Sequence, residues 1–484
     1  MDHEIKTDVR CCFFGAGKKG LYWLEFFAKF GIVPKYFIDN NKNLYGKLLK
    51  NIIIYNPDRL KVVDFEYIFI TCNNEAEIYQ QLLELEINND KIIFGNHNIL
   101  NHLLYYAVKE YYSKKISGDF SSNKSEGTIL LDLQNGMVLG GVEAWVYRLA
   151  GQLQKKGYQG IYLTTNVSEP VVTDNTYLSC VLEYHGITDE KDKIDHCVQE
   201  IIKNLPCTII CNFPQYTFWS ACIVKHLYPD QIRIIAVQHS DDPVYYEAYG
   251  LWQEYIDKCL AISSLMKHKL VTMGMKEEKI GYLRWQVPCE QIINRTKNKE
   301  ETCLQIGYAG RVTTTAKRVD LLLALAQKLE SRHLHFQITI AGIGNYSDTL
   351  QQQIQQENLS KYIVPIGYID RKDIPDFWSR QDIMVSCSEW EGHSISQSEA
   401  MAAGAVPVIT DVSGARDDVA DGYNGYIVDV GDLDTMADKI EYLYHNRDTL
   451  AQMGQRAHDT IYERQKEFNQ AQFWDDLIKE VWQK

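Results

Sequence analysis

No stretch of the 484 residues is uninterrupted and apolar enough to span a bilayer. The opening Met1-Asp2-His3-Glu4-Ile5-Lys6 also lacks the apolar core that a secretion signal needs. A cytoplasmic protein is therefore expected, at most peripheral to the inner face of the cell membrane. Positive charge is scarce too: 50 lysines and arginines stand against 64 acidic residues, a formal net charge of −14. Such a balance argues against a general nucleic-acid binder, because neutralising phosphates takes a basic surface. There are 12 cysteines but no paired C-x2-C metal motif. Cys11, Cys12, Cys207 and Cys211 fall within apolar, strand-like runs, which reads as core packing by reduced thiols.

What is present suffices for a large enzyme. Hydrophobic residues make up 45% of the chain, and the length suits about three domains. Residues 9–14 read as a buried strand, Gly15-Ala16-Gly17-Lys18-Lys19-Gly20 as a glycine turn, 21–30 as a helix, and 35–38 as a second strand ending at Asp39. A glycine turn between strand and helix, with an acid about 20 residues on, is the setting of a dinucleotide-type Rossmann turn. Further signals at 67–71, 75–86 and 92–94 complete a Rossmann-like accessory domain over 1–116. One reading gives it a nucleotide or NAD(P) at Gly15, Gly17, Gly20 and Asp39. The other, a module kept for assembly or acceptor placement, carries more weight, since the strands are too few for a full dinucleotide fold. A tyrosine-rich helical pattern at 98–115 favours packing on its own domain over lying on a membrane. Residues 117–127, polar and turn-rich, read as a linker, and the chain from 128 onward is expected to fold without the module.

From 128 onward strand and helix signals alternate again. Strands at 128–133, 208–212, 232–238 and 259–263 suit a parallel sheet, with a Gly140-Gly141 turn opening a helix at 142–156. His239 stands at the carboxyl end of one strand, where open α/β sheets place their ligands. A second series starts near 302, with a strand at 304–308, the Gly310-Arg311 turn and a helix that includes 320–329. The most telling segment is Glu391-Gly392-His393-Ser394-Ile395-Ser396-Gln397-Ser398-Glu399, which runs into Ala400-Met401-Ala402-Ala403-Gly404. Ser394 and Gln397 have capping-box spacing, so a helix should start near Ile395 and stop at Gly404, ahead of a strand at 405–410. Glu391 then precedes the helix and Glu399 lies about one turn inside it. Unpaired N–H groups of that first turn suit a diphosphate, flanked by carboxylates that bind hydroxyls on either side.

Together with Lys317, Ile340-Ala341-Gly342-Ile343-Gly344, Gly367-Tyr368 and Asp421-Gly422-Tyr423-Asn424-Gly425, these segments resemble, in order, the retaining glycosyltransferases of family 4. The likeness covers 128–484. It implies an α/β GT-B fold in which two Rossmann-like domains face a cleft, with the extra Rossmann-like domain before them. The acceptor domain would be 128–300, completed by a returning helix at 468–484, and the nucleotide-sugar donor domain 301–467. The resemblance implies that Gly140 and Gly141 let the backbone approach the donor diphosphate and that Arg311 and Lys317, after Gly310, bind it. Glu391 would contact hydroxyls of the transferred sugar and Glu399 those of the ribose. The N–H groups of His393, Ser394 and Ile395 would meet sugar or phosphate, Gly367 and Tyr368 would join the donor site, and His239 would touch donor sugar or acceptor. At Ile395-Ser396 the chain departs from the family's usual Leu-Pro pair, which leaves the donor sugar open.

The implied activity is retaining, metal-independent transfer of a hexose-type sugar from a nucleotide-diphosphate sugar, a UDP-sugar before others, to a glycan, lipid-linked or other glycoconjugate hydroxyl. Its setting would be polysaccharide biosynthesis, with no cofactor required. His239, Arg311, Lys317 and Glu391 are the expected catalytic residues, the two cations stabilising the leaving diphosphate. No D-x-D metal motif stands at a strand end. Paired carboxylates also suit a glycosidase, but the helix register and flanking cations favour binding roles. A non-catalytic nucleotide-sugar-binding partner of a glycosyltransferase complex is the alternative, disfavoured because Glu391, Glu399, Arg311 and Lys317 are all present.

Overall fold

A computed structural model describes residues 10–115, 128–133, 141–164, 178–181, 189–287, 289 and 303–483. The expected linker at 117–127 and Gly140 lie outside them. The chain forms two compact units, Met1–Ala236 with Asp242–Lys258, and Val237–Asp241 with Cys259–Lys484.

In the first unit, β1 (Cys11–Phe14), β2 (Tyr36–Ile38), β3 (Leu48–Leu49), β4 (Ile52–Tyr55), β5 (Tyr67–Ile70) and β6 (Ile92–Ile93) form a sheet of order β3-β4-β2-β1-β5-β6. Pairing is parallel except between β3 and β4. Every residue of central β1 is buried, which explains an apolar run without alternation. Phe13 meets Phe27, Phe37 and Phe69 edge-on at 4.9, 5.7 and 5.9 Å, an aromatic geometry favoured by ring quadrupoles. The glycine turn is built for close approach: a Cβ on Gly20 would lie 1.9 Å from the Gly15 carbonyl oxygen. Helix Lys18–Ala28 therefore rests directly on the turn.

The same unit continues with β7 (Thr128–Asp132), β8 (Gln159–Thr164), β9 (Leu178–Val181), β10 (Cys207–Cys211) and β11 (Ile232–Gln238), neighbours in the order β11-β10-β7-β8-β9. Helix Asn96–Ala107, inside the tyrosine-rich segment, is fastened to this part of the chain. Buried Asn101 accepts hydrogen bonds at 2.8 Å from the indole N–H of both Trp219 and Trp252. Tyr105 donates to Glu254 at 2.8 Å and Tyr112 to Asp195 at 2.9 Å. The helix packs on its own domain, where Tyr67 meets His102 and Tyr106, but it also covers two large indoles of the segment after 128, which runs against the expectation that this segment folds without the module.

The second unit has a short parallel pair, β12 (Lys258–Ala261) and β13 (Ile280–Tyr282). Its main sheet holds β14 (Leu304–Ala309), β15 (Phe336–Ala341), β16 (Ile363–Gly367), β17 (Ile383–Ser386), β18 (Val406–Thr410) and β19 (Tyr426–Val428) in the order β16-β15-β14-β17-β18-β19. All of its pairs are parallel. Helix Leu321–Ser331 buries Leu322, Leu325, Ala326 and Leu329, the helical repeat of an amphipathic face. Helix Gln470–Gln483 buries Trp474, Leu477, Ile478 and Val481 by the same period.

Asn101→Leu should destabilise the protein by about 3 kcal/mol, because it leaves two buried indole donors unsatisfied at once. Denaturant unfolding measures this, and a loss below about 1 kcal/mol would show that the Asn101 bonds do not hold the helix in place.

Candidate nucleotide-sugar site

The carboxyl ends of β14 to β18 carry the expected residues of the second unit. There the backbone is laced together by glycine. Gly310 N–H donates to the Ala341 carbonyl at 3.0 Å, and Gly342 N–H to the Gly367 carbonyl at 2.7 Å. Gly342 has φ +139, and a Cβ on it would lie 1.9 Å from the Gly310 oxygen. Three successive strand-end turns thus lie against one another, with Arg311 and Tyr368 exposed beside them. Between that edge and helix Leu321–Ser331, Arg318 adopts φ +47, a left-handed conformation that costs energy for a non-glycine residue. Its neighbour Lys317 reaches across to form an ion pair with Glu391.

Glu391 follows β17, and its Oε1 also accepts a hydrogen bond from Ser388 Oγ at 2.8 Å. Helix Ile395–Ala402 starts as the capping-box spacing requires: Ser394 is the N-cap, and its Oγ accepts from Gln397 N–H at 3.3 Å. Gly404 follows at φ +75 and leads into β18. Glu399 lies half-buried within the helix. The structure therefore brings Gly310, Arg311, Lys317, Glu391, His393, Ser394, Ile395, Glu399, Gly367 and Tyr368 to one edge of one sheet. Gly141 begins helix Gly141–Lys155 of the first unit.

His239 meets the same loop through its backbone, since a Cβ on Gly392 would lie 2.2 Å from the His239 carbonyl oxygen. Its ring stacks on Trp285 with centroids 5.6 Å apart. Desolvation pushes its pKa down to about 3, so the imidazole is neutral at physiological pH. Beside Glu391 a cleft of about 620 Å³ opens, with Asp241, Glu389, Trp390, Asp411 and Arg416 in its walls. Among the described residues no three His, Cys, Asp or Glu side chains converge to hold a metal ion.

Sequence reasoning missed a buried charge cluster behind the Glu391 loop. Asp418 accepts from Ser398 Oγ at 2.9 Å, lies 3.1 Å from His393 Nε2, and forms an ion pair with Arg464. Burial alone would raise its pKa, but His393, Arg464 and Ser398 outweigh that and hold it down to about 2. Nothing in the spacing of Asp417-Asp418 marks one of the two as buried. Asp132, at the end of β7, was also missed. Its carboxylate accepts from the N–H groups of Asn212 and Phe213 at 3.1 Å, yet burial pushes its pKa up to about 7.

In the accessory domain, Gly15, Gly20 and Asp39 come together. Asp39 accepts from the N–H groups of Ala16 and Asn41 at 2.8 Å, so one carboxylate oxygen serves the glycine turn and the other its own chain two residues on. Gly17 is the N-cap of helix Lys18–Ala28 and faces open space.

With this geometry in hand, comparison with known proteins gives the class. Residues 290–460 match the family profile described as "Glycosyl transferases group 1", and residues 7–93 that described as "C2185-like, N-terminal". The chain is 30% identical to poly(ribitol-phosphate) alpha-N-acetylglucosaminyltransferase of Staphylococcus aureus over 36% of this chain and 35% of that protein. It is 27% identical to a putative colanic acid biosynthesis glycosyltransferase, WcaL, of Salmonella typhimurium over 44% of this chain and 53% of that protein. Such matches span about a third to a half of the curated relatives' own length. The crystal structure of Anabaena HepE with UDP-glucose superposes with a TM-score of 0.59 at 17% identity, covering 73% of this chain and 98% of that one. The fold is that of GT-B glycosyltransferases, and the second unit holds a glycosyl transferases group 1 domain.

The Asp418 cluster carries a pH signature. Its folded pKa lies below the ordinary carboxylate value, so its stabilisation is present above about pH 4 and is lost as pH falls through about 2. Over that window Asp418→Asn should remove roughly 2 kcal/mol of the acid-induced loss of stability. Parallel stability–pH curves for wild type and variant would refute the assignment.

Proposed function

We propose that the protein is a retaining, metal-independent glycosyltransferase. It moves a hexose-type sugar from a nucleotide-diphosphate sugar, a UDP-sugar before others, to a hydroxyl of a glycan, lipid-linked or other glycoconjugate acceptor in polysaccharide biosynthesis. The observation that carries this reading is the set at the sheet edge: exposed Arg311, Lys317 paired with Glu391, and the capped helix that bears Glu399. In this reading the diphosphate lies at the N-terminus of helix Ile395–Ala402, where backbone N–H groups and the helix dipole favour an anion. Glu399 takes the ribose hydroxyls, and Glu391 takes hydroxyls of the transferred sugar in the cleft beside it. Relatives in polysaccharide biosynthesis and the UDP-glucose held by the Anabaena HepE structure support the setting and the nucleotide.

The chemistry follows from where charge develops. As the glycosidic bond breaks, negative charge grows on the leaving diphosphate, and Arg311 with Lys317 stabilises it electrostatically. The acceptor hydroxyl attacks the same face of an oxocarbenium-like sugar while the leaving phosphate takes its proton, so no enzyme nucleophile is needed. His239, neutral at physiological pH, acts as a polar contact to sugar or acceptor and not as a cation.

Lys317→Ala should lower turnover by at least about a hundredfold, and Glu399→Ala should weaken nucleotide binding by about tenfold, with both variants folded. Donor turnover and calorimetric binding over a panel of UDP-, GDP- and ADP-sugars read both effects. Wild-type behaviour in the two variants would refute the site. Activity should persist in excess EDTA, whereas loss that Mg²⁺ or Mn²⁺ restores would refute metal independence.

A further inference from the structure

The Glu391 loop is followed by a histidine whose side chain faces away from solvent: His393 is 2% accessible, and its Nε2 lies 3.1 Å from Asp418 Oδ2. The other ring nitrogen, Nδ1, is buried and has no hydrogen-bond partner among the described residues. Asp418 therefore supplies the contact that fixes the ring's rotation. The carboxylate is itself held from two further directions, by Arg464 and by Ser398 Oγ, and the Asp418 backbone carbonyl accepts from Asn424 Nδ2 at 3.0 Å. Arg464 belongs to helix Arg447–Glu467 and also reaches the Trp285 carbonyl at 3.4 Å. Trp285 is the residue on which the His239 ring stacks.

The loop between Glu391 and Ser394 has little freedom. Gly414, at φ +78, packs so closely that a Cβ there would lie 2.7 Å from the Gly392 oxygen and 2.9 Å from His393 Cα. Rotation of the His393 ring would act on that crowded backbone, and with it on Glu391 two residues earlier. Helix Ile395–Ala402 has its own N-cap, and Asp418 reaches it by a route separate from His393, through Ser398 Oγ beside Glu399.

We propose that Asp418, locked by Arg464 and acting through His393, is a positioning residue for the sugar-binding end of the site, and that this His393 contact, unlike the Asp418–Ser398 bond beside Glu399, does not bear on the nucleotide-binding end. This rests on the reading given above, in which the Glu391 loop meets the transferred sugar and Glu399 the nucleoside. Buried polar partners that orient metal-binding residues are typically worth about ten- to a hundredfold in affinity or activity, and a loss of the same order is expected for a loop that meets a sugar.

The test uses the full chain and three quantities: thermal midpoint, affinity for the free nucleoside diphosphate, and affinity for the corresponding nucleotide sugar. His393→Leu removes the donor to Asp418 but keeps the Asp418–Arg464 pair. His393→Gln restores an N–H donor. In His393→Leu the affinity for UDP should stay within about twofold, while the nucleotide sugar loses about tenfold; His393→Gln should recover most of that loss. Equal losses for UDP and UDP-sugar, or unchanged binding of both, would overturn the positioning role. A wild-type protein that binds no member of a UDP, GDP and ADP panel would instead overturn the donor-site reading, and this inference with it, through a pattern that neither variant produces.

Discussion

The second unit depends on backbone touching backbone where strands end. At Gly392 and Gly414 the chain comes so close to a neighbouring carbonyl that a single Cβ would lie 2.2 and 2.7 Å from it. Parallel strands deliver loops to one edge of the sheet, but ordinary side chains would hold those loops apart. With glycine at the contact points, main-chain N–H groups and short polar side chains occupy a space that a ligand would otherwise share with β-carbons. The capped helix Ile395–Ala402 adds its unpaired N–H groups at the same edge. Substituting any one of these glycines would therefore displace a loop as well as a side chain.

That geometry sets the electrostatics. Lys317 and Glu391 are both mostly shielded from solvent and face each other, and a buried pair is costly to break from one side only. An anionic ligand can enter without leaving Glu391 unsatisfied, because Ser388 Oγ keeps one hydrogen bond to it. Arg311 stands exposed on the neighbouring turn. In the proposed function, the diphosphate of the donor is met first by this accessible cation and next by Lys317, which exchanges partners.

Much of this was legible in the sequence because it is local. The capping-box spacing of Ser394 and Gln397 placed the helix start at Ile395, and Gly404 placed its stop. Glycine after an apolar run marked the strand end at Gly310, since such a turn has few other solutions. The buried Asp418 cluster was not legible, because its members at 393, 398, 418 and 464 come from separate elements and no period links them. The role of Asn101 was hidden for the same reason. One asparagine inside an apolar helix reads as a weak position until two tryptophans more than 100 residues away turn out to share its oxygen.

The two polar devices that sequence reasoning missed do different work. Asn101 satisfies two buried donors, and its replacement acts on the whole first unit through stability. Asp418 is ionised and balanced by Arg464, so its own burial is already compensated inside the cluster. What remains directional is the contact to His393, the one member that leads back to the Glu391 loop. A charge placed only for stability would need no histidine between it and that loop, since Arg464 and Ser398 already supply donors to both carboxylate oxygens. The imidazole carries the cluster's rigidity forward to the residues at the ligand edge.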